Sequence, residues 1–328
     1  MTVRDSRRIT VNHSMKLSFF EALQLNSIRL WDRGEEMMAN ITFIKDYKNN
    51  NILRRSFNEL AEKTFGINFE DWYRLGYWTE KYVPYSLTDG EEIVANVSVN
   101  KVNLIIDGLK IPALQIGTVM TEIAFRGHGY SRILMEKVME EYKDCPLFYL
   151  FANQSVLDYY PKFDFCQFDE TLFSIEFQGV HKEQANIRWL NIDKDKEFIY
   201  NFAAGRKKLS ASFDTSDTQE LLMFYALKVF TGDFYFLEKD NVIAVCQQKN
   251  EVLHLYDLIT ETINPDMENI VKQLAAENTS KVVFHFTPPI LELPIIKERY
   301  EGDNTLFVKN NAGISLPPFF KHPITSQA

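Results

Sequence analysis

The chain has 328 residues, 45% of them hydrophobic and 25% charged, with a formal net charge of −9 at pH 7. That length supports two domains with sizeable cores, and the composition is that of an ordinary globular protein. The negative balance argues against nonspecific binding to nucleic acid or to an anionic membrane and suits a cationic or amine partner.

Cys145, Cys166 and Cys246 are widely scattered and offer neither a disulfide framework nor a metal spacing, so a reducing, cytoplasmic compartment is expected. The histidines His13, His128, His181, His254, His285 and His322 pair with no cysteine or acid at metal-ligand spacing, and no metal is expected. No stretch of the sequence reaches the length of a membrane span, and no long apolar core follows Arg4, Arg7, Arg8 and Lys16, so neither an anchor nor a signal peptide is expected.

Residues 1–37 are mixed in charge and are expected to be a flexible N-terminal extension; a docking helix around Leu17 to Leu30 is the alternative. From Ala39 the run I-T-F-I reads as a strand. Ile52, Leu53, Phe57, Leu60, Ala61 and Thr64 then recur at helical spacing over Asn51 to Phe65. Phe69 to Trp78 is an aromatic-rich helix or turn. A three-strand meander follows. Tyr82 to Leu87 ends at the hairpin signal Asp89-Gly90. Ile93, Ala95, Val97 and Val99 alternate with polar partners, as a half-buried strand does, and Val102, Leu104 and Ile106 continue into Asp107-Gly108. Leu109 to Met120 completes the meander.

The next segment carries the functional signal. Gln115 to Ser131 reads Q-I-G-T-V-M-T-E-I-A-F-R-G-H-G-Y-S, a β-like run that leads into an arginine, two glycines and an amphipathic helix. Glycines let the main chain approach a pyrophosphate, and a helix start supplies free N–H donors and a positive dipole end. The helix has Tyr130, Ile133, Leu134, Val138 and Tyr142 on one apolar stripe, with charges elsewhere. After Pro146, Leu147 to Ala152 reads as a buried strand, and Asn153 to Phe165 (N-Q-S-V-L-D-Y-Y-P-K-F-D-F) as a helical segment before a last strand.

These residues resemble the Gcn5-related N-acetyltransferases (GNAT), which bind acetyl-coenzyme A. Arg126, Gly129 and Ser131 fill the family's pyrophosphate-loop pattern Q/R-x-x-G-x-G/A, with Ser131 in place of glycine or alanine. Gly117, Val119, Met120 and Thr121 match its upstream strand. Asn153, Tyr160 and Phe165 match its later segment, where Asp164 replaces the usual glycine and Val156 the usual alanine. The resemblance covers residues 38–178. It implies a mixed-sheet α/β fold of the acyl-CoA N-acyltransferase type, and acetyl transfer from acetyl-CoA, as acyl donor, to a primary amine of a small molecule or protein.

By resemblance, Val119, Met120 and Thr121 would hold the cofactor's pantetheine arm, and Arg126, Gly127, His128, Gly129, Tyr130 and Ser131 its pyrophosphate. Asn153 would help place the arm, and Tyr160 would protonate the leaving thiolate. Asp164 is a residue that tolerates a positive φ. No carboxylate falls at a register that marks it as general base, and His128 is expected to face solvent. Glu122 follows the cofactor strand, and Trp72, Tyr73, Trp78, Tyr82 and Tyr85 are either walls of an acceptor pocket or core. A non-catalytic sensor of acyl-coenzyme A is the alternative function.

Residues 179–328 show no such motif. Ser216 to Phe230 reads as a helix, and Phe234 to Leu237, Val242 to Gln247 and Val252 to Ile259 as strands. Pro265 to Glu277 reads as a helix and Val282 to Phe286 as a strand. The order echoes the first domain, but T-E-T-I-N-P-D-M after Ile259 has no arginine and no paired glycines. A degenerate second GNAT-like domain over 179–328 is therefore expected, an unrelated α+β module being the alternative. The proline-rich tail should be extended and lie across the first domain.

Overall fold

A computed structural model describes residues 40–178, 186–289 and 291–328; the extension expected over 1–37 lies outside the described residues. In chain order the elements are β1 (Ile41–Lys45), α1 (Asn51–Phe65), α2 (Glu70–Arg74), β2 (Tyr82–Asp89), β3 (Glu92–Ile106), β4 (Leu109–Thr121), α3 (Tyr130–Glu141), β5 (Leu147–Asn153), β6 (Cys166–Phe168) and β7 (Thr171–Glu176). There follow β8 (Ile187–Trp189), α4 (Ile192–Ala204), β9 (Phe213–Ser216), α5 (Gln219–Lys228), β10 (Phe234–Leu237), β11 (Val242–Lys249) and β12 (Val252–Thr260). The last are α6 (Met267–Leu274), β13 (Lys281–Phe284), β14 (Ile296–Arg299) and β15 (Asn304–Asn310).

Contacts divide the chain into two units that are not contiguous in sequence. One comprises residues 40–68, 84–97 and 119–137, the other 69–83, 98–118 and 138–328. In the first unit α1 is capped as its sequence suggests. The Asn50 side chain accepts from the N–H groups of Ile52 and Leu53, and Gly66 ends the helix at φ 70°. Leu53, Phe57, Leu60 and Ala61 are its buried stripe. The polar partners of the alternating strand β3 do not face solvent, contrary to the expected half-burial: Asn96, Ser98 and Asn100 are all buried. Their polarity is partly absorbed by a relay in which Ser86 Oγ donates to Asn96 Oδ1 at 2.8 Å and also bonds the Tyr47 hydroxyl at 2.7 Å.

The first sheet has the order β1-β2-β3-β4-β5-β15-β6, with β9 paired to β3. The second has the order β8-β10-β11-β12-β13-β7-β14. The two orders correspond strand by strand. Each has a parallel pair at its centre, β4 with β5 and β12 with β13. The sixth place in each sheet is filled from the other half of the chain. β7 precedes residue 178 and sits in the second sheet, and β15, near the far end, lies antiparallel between β5 and β6 in the first. A division of the sequence at 178 therefore follows neither sheet.

The expected helix over Asn153 to Phe165 is absent. Two short 3₁₀ turns, Gln154–Val156 and Tyr160–Phe163, stand there instead, the second with Pro161 near its start and Asp164 in left-handed backbone at its end. β8, α4, β9, β14 and β15 carry no element in the sequence analysis above.

Two cores lie in the second unit. One places Leu253, Leu255, Val282 and Phe284 of the second sheet under Met267, Ile270 and Val271 of α6. The other gathers Leu104, Ala113, Tyr149, Phe213 and Leu306 with Phe320 of the tail. The tail is extended as far as a 3₁₀ turn at Ile324–Ser326, and Phe320, Lys321 and His322 are buried. Lys321 pairs with Glu170 at 3.0 Å, both buried. His322 Nδ1–H donates to the Pro323 carbonyl, which leaves Nε2 to accept from the Tyr149 hydroxyl.

Candidate active site

The first unit contains the glycine loop. At the end of β4 the Glu122 N–H donates to the Val94 carbonyl at 2.8 Å, and a 3₁₀ turn, Ile123–Phe125, follows. The Glu122 carboxylate caps that turn and pairs with Lys63 at 3.3 Å, so it is engaged in structure rather than poised as a base. The chain then passes Arg126 in extended backbone, Gly127 at φ 84° and Gly129 at φ 79°, and enters α3 at Tyr130. Positive φ at both glycines is the reason for glycine there. A β-carbon added at either would meet nothing within 4 Å, so the space around the loop is open. Among the described residues no backbone acceptor is bonded to the N–H groups of Gly127, His128 or Gly129.

Arg126 folds back, its Nε donating to the Thr121 carbonyl at 3.2 Å, which ties the loop to the end of β4. His128 Nδ1–H donates to the Phe125 carbonyl at 3.2 Å; it is half-buried, not solvent-facing, and braces the loop. Tyr130 is buried beside Phe125 and His128, and burial together with the charge of Asp89 pushes its hydroxyl up to about 12. The structure thus brings Val119, Met120 and Thr121 into one unit with Arg126, Gly127, His128, Gly129, Tyr130 and Ser131.

Asn153 and Tyr160 lie in the second unit. There β4 and β5 run parallel from Ala113 opposite Leu147 to Ile116 opposite Leu150, and pairing stops. β4 continues through Gly117 to Thr118, a β-branched residue at φ 50°. This is a costly conformation, and the Tyr82 hydroxyl bonds Thr118 Oγ1 at 2.9 Å. β5 continues to Asn153, whose side chain accepts from the Ser155 N–H at 3.0 Å, a local cap.

Tyr160 is 6% exposed, packed among Tyr159, Phe165 and Phe307, and burial raises its pKa above the usual phenol range. The Asp164 that stands for glycine is at φ 65°, and its carboxylate meets Lys309 of β15 at 2.9 Å. Lys309 was invisible in the sequence; the one signal was an aspartate where the family turn uses glycine.

The tail reaches β4. With its amide oriented to satisfy both atoms, buried Gln115 donates to the Ser326 carbonyl at 3.2 Å and accepts the Ala328 N–H at 2.9 Å. A β-carbon on Gly117 would lie 3.0 Å from the Ala328 main chain, so a side chain there would ask the tail end to shift by a few tenths of an ångström. Of the aromatic residues considered as acceptor walls, Trp72, Trp78, Tyr82 and Tyr85 are core, and Tyr73 packs edge-on against Trp78. Trp72 Nε1 donates to the Glu220 carbonyl, and Trp78 Nε1 to that of Tyr82. Trp72 and Tyr82 also border a cavity of about 10 Å³ with Lys81, Asn100, Asp217 and Glu220, enough for about one water molecule. Asn100 Nδ2, which has no protein partner, borders it too.

Among the described residues no cluster of three or more His, Cys, Asp or Glu side chains is placed to hold a metal, and no helix is long and apolar enough to cross a membrane.

Residues 48–168 match the model of a family described as acetyltransferase (GNAT) domain. No curated protein matches the chain. Among solved structures, a probable N-acyltransferase from Enterococcus faecalis V583 aligns with 83% of this chain and 73% of its own, at 13% identity and a TM-score of 0.56. A GCN5-related N-acetyltransferase from Kribbella flavida aligns with 83% of this chain and 72% of its own, at 14% identity and a TM-score of 0.52. Eis1 from Mycobacterium abscessus aligns with 81% of this chain and 72% of its own, at 10% identity and a TM-score of 0.53. At these identities the likeness is one of fold.

Proposed function

We propose, from the match of residues 48–168 to the acetyltransferase (GNAT) domain model, that this protein transfers an acetyl group from acetyl-CoA to a primary amine of a small molecule or protein. The observation that carries the reading is the loop Arg126–Ser131. It has two glycines at positive φ, open space around them and unbonded N–H groups directly before a helix. Such donors, with the helix dipole behind them, suit a pyrophosphate. Val119, Met120 and Thr121 would hold the pantetheine arm by their main chain, and Asn153 would help to place it.

The donor supplies an activated thioester. The amine nitrogen attacks its carbonyl carbon within a ternary complex. The C–N bond forms, the C–S bond breaks, and the sulfur leaves as a thiolate. Tyr160 would give that thiolate its proton. A buried phenol is a weak acid, but the thiolate leaving into the same environment is a strong base. The proton shed by the amine passes to water, which restores the phenol.

Thiol release from acetyl-CoA, measured over a panel of primary alkylamines, amino sugars and lysine peptides, tests the proposal. Amine-dependent release supports it. Binding of acetyl-CoA without release by any amine would favour a sensor of acyl-coenzyme A instead.

A further inference from the structure

The turn that bears Tyr160 is held from a strand contributed by the far end of the chain. Phe307 and Lys309 are two residues apart on β15 and so share a face. The Phe307 ring lies 5.8 Å from that of Tyr160. Lys309 Nζ donates to the Phe163 carbonyl at 3.0 Å and to Asp164 Oδ2 at 2.9 Å, across 145 residues of sequence in the second case. The 3₁₀ turn Tyr160–Phe163 therefore has its ring end packed and its C-terminal end clamped from one strand.

Both ends need that support. A carbonyl at the end of a helical turn lacks an internal partner and carries the negative end of the dipole, where a cation is favourable. Asp164 at φ 65° pays the steric cost that glycine avoids, and without a partner nothing offsets it. β15 is itself a rigid support. Phe307 faces Leu150 and Lys309 faces Phe148 on β5, the strand that leads to Asn153. β6 closes the other side.

We propose that Lys309 is a positioning residue for acyl transfer: with Phe307 it fixes the Tyr160–Asp164 turn, so that the phenol of the first half of the chain is held in place by a strand of the second. The proposal rests on the reading of Tyr160 as the acid that protonates the thiolate. Lys309 itself touches neither substrate nor reacting atoms.

The test uses the full chain, acetyl-CoA and the amine giving fastest thiol release in the panel above. Lys309→Met, Lys309→Arg, Lys309→Met with Asp164→Gly, and Tyr160→Phe are compared by kcat, by KM for acetyl-CoA and by Tm. Small misplacements of a catalytic group cost one to two orders of magnitude in rate, so Lys309→Met should lower kcat about tenfold with KM within about twofold. Lys309→Arg, which keeps the cation, should stay within about threefold of the parent. Adding Asp164→Gly should recover most of the lost kcat, because glycine adopts the positive φ unaided.

A purely structural role would lower Tm and leave kcat of the folded enzyme unchanged, which would overturn the proposal. So would a double variant as slow as Lys309→Met alone. If Tyr160→Phe is slow and Lys309→Met is not, only the positioning role fails. If Tyr160→Phe is fully active, or no amine is turned over, the underlying reading fails and the proposal with it.

Discussion

Two parallel strand pairs hold the same place in two sheets of the same order, and they differ in what lies beyond their last paired residues. After Ile116 and Leu150, β4 runs on as Gly117 and a strained Thr118, and the exposed Ala328 of the tail lies against Gly117. After Leu255 and Phe284, the chain fills the corresponding place with its own buried residues. Thr287 Oγ1 receives the Lys321 N–H at 2.8 Å and donates to the Lys321 carbonyl at 3.0 Å. Thr325 donates to Asp257 of β12, which also pairs with Arg206 at 2.8 Å. Beyond this second pair the tail takes up part of the polar groups, Thr287 and one oxygen of Asp257. A strand order can be repeated without its chemistry, and the difference lies in a few side chains and in one glycine loop.

The largest expected effect tests whether the tail is locked beside the second strand pair. Lys321→Met leaves the Glu170 carboxylate buried without its cation, with the His322 N–H still bonded to it, which should cost roughly 3–5 kcal/mol, read as a fall in Cm during urea denaturation. A variant as stable as the parent would mean that the pair contributes little to holding the tail. Next, Tyr160→Phe should lower kcat by about 10² while acetyl-CoA affinity is kept, since loss of a general acid typically costs 10²–10⁴; an equal loss of affinity would point to a binding role.

Gly117→Ala probes the first strand pair, where Ala328 at the tail end is exposed. A stability change under about 1 kcal/mol is expected there, and a larger loss would show that the tail is locked at this end too.

The smallest effect is a pH dependence. Burial, with the nearby charge of Lys321, pushes His322 down to about 3. The folded chain therefore binds fewer protons than the unfolded one, where histidine titrates near 6.5. The stability that neutral His322 contributes is complete above about 6.5 and is lost as pH falls from there toward 3. Tm should decline as pH is lowered from 6.5 to 5, and His322→Gln should flatten that decline; an unchanged slope would remove His322 as its source.

The glycine loop, α1, α3 and the meander were legible because their signals are local: a period of 3.6 over twelve or more residues, alternation into Asp-Gly turns, and paired glycines before a helix. The helix expected at Asn153–Phe165 was not there because Pro161 and the cap at Asn153 favour short turns, which the apolar spacing does not reveal. The exchange of β7 and β15 was not legible either. Strands of six and seven residues carry a period of two but no address for their partner. Lys309 was hidden for the same reason, since nothing near it in sequence points to Asp164. The buried Asn96, Ser98 and Asn100 show the limit of alternation, which marks two faces of a strand without saying that both are covered.

Calorimetric titration of acetyl-CoA into the intact chain and into Gly129→Glu addresses the difference between the two strand pairs most directly. A glutamate there would strain a backbone at φ 79° and place a negative charge among the donors intended for a pyrophosphate. One site per chain, lost in the variant, is the predicted result. Two sites per chain, or unchanged binding by Gly129→Glu, would contradict it.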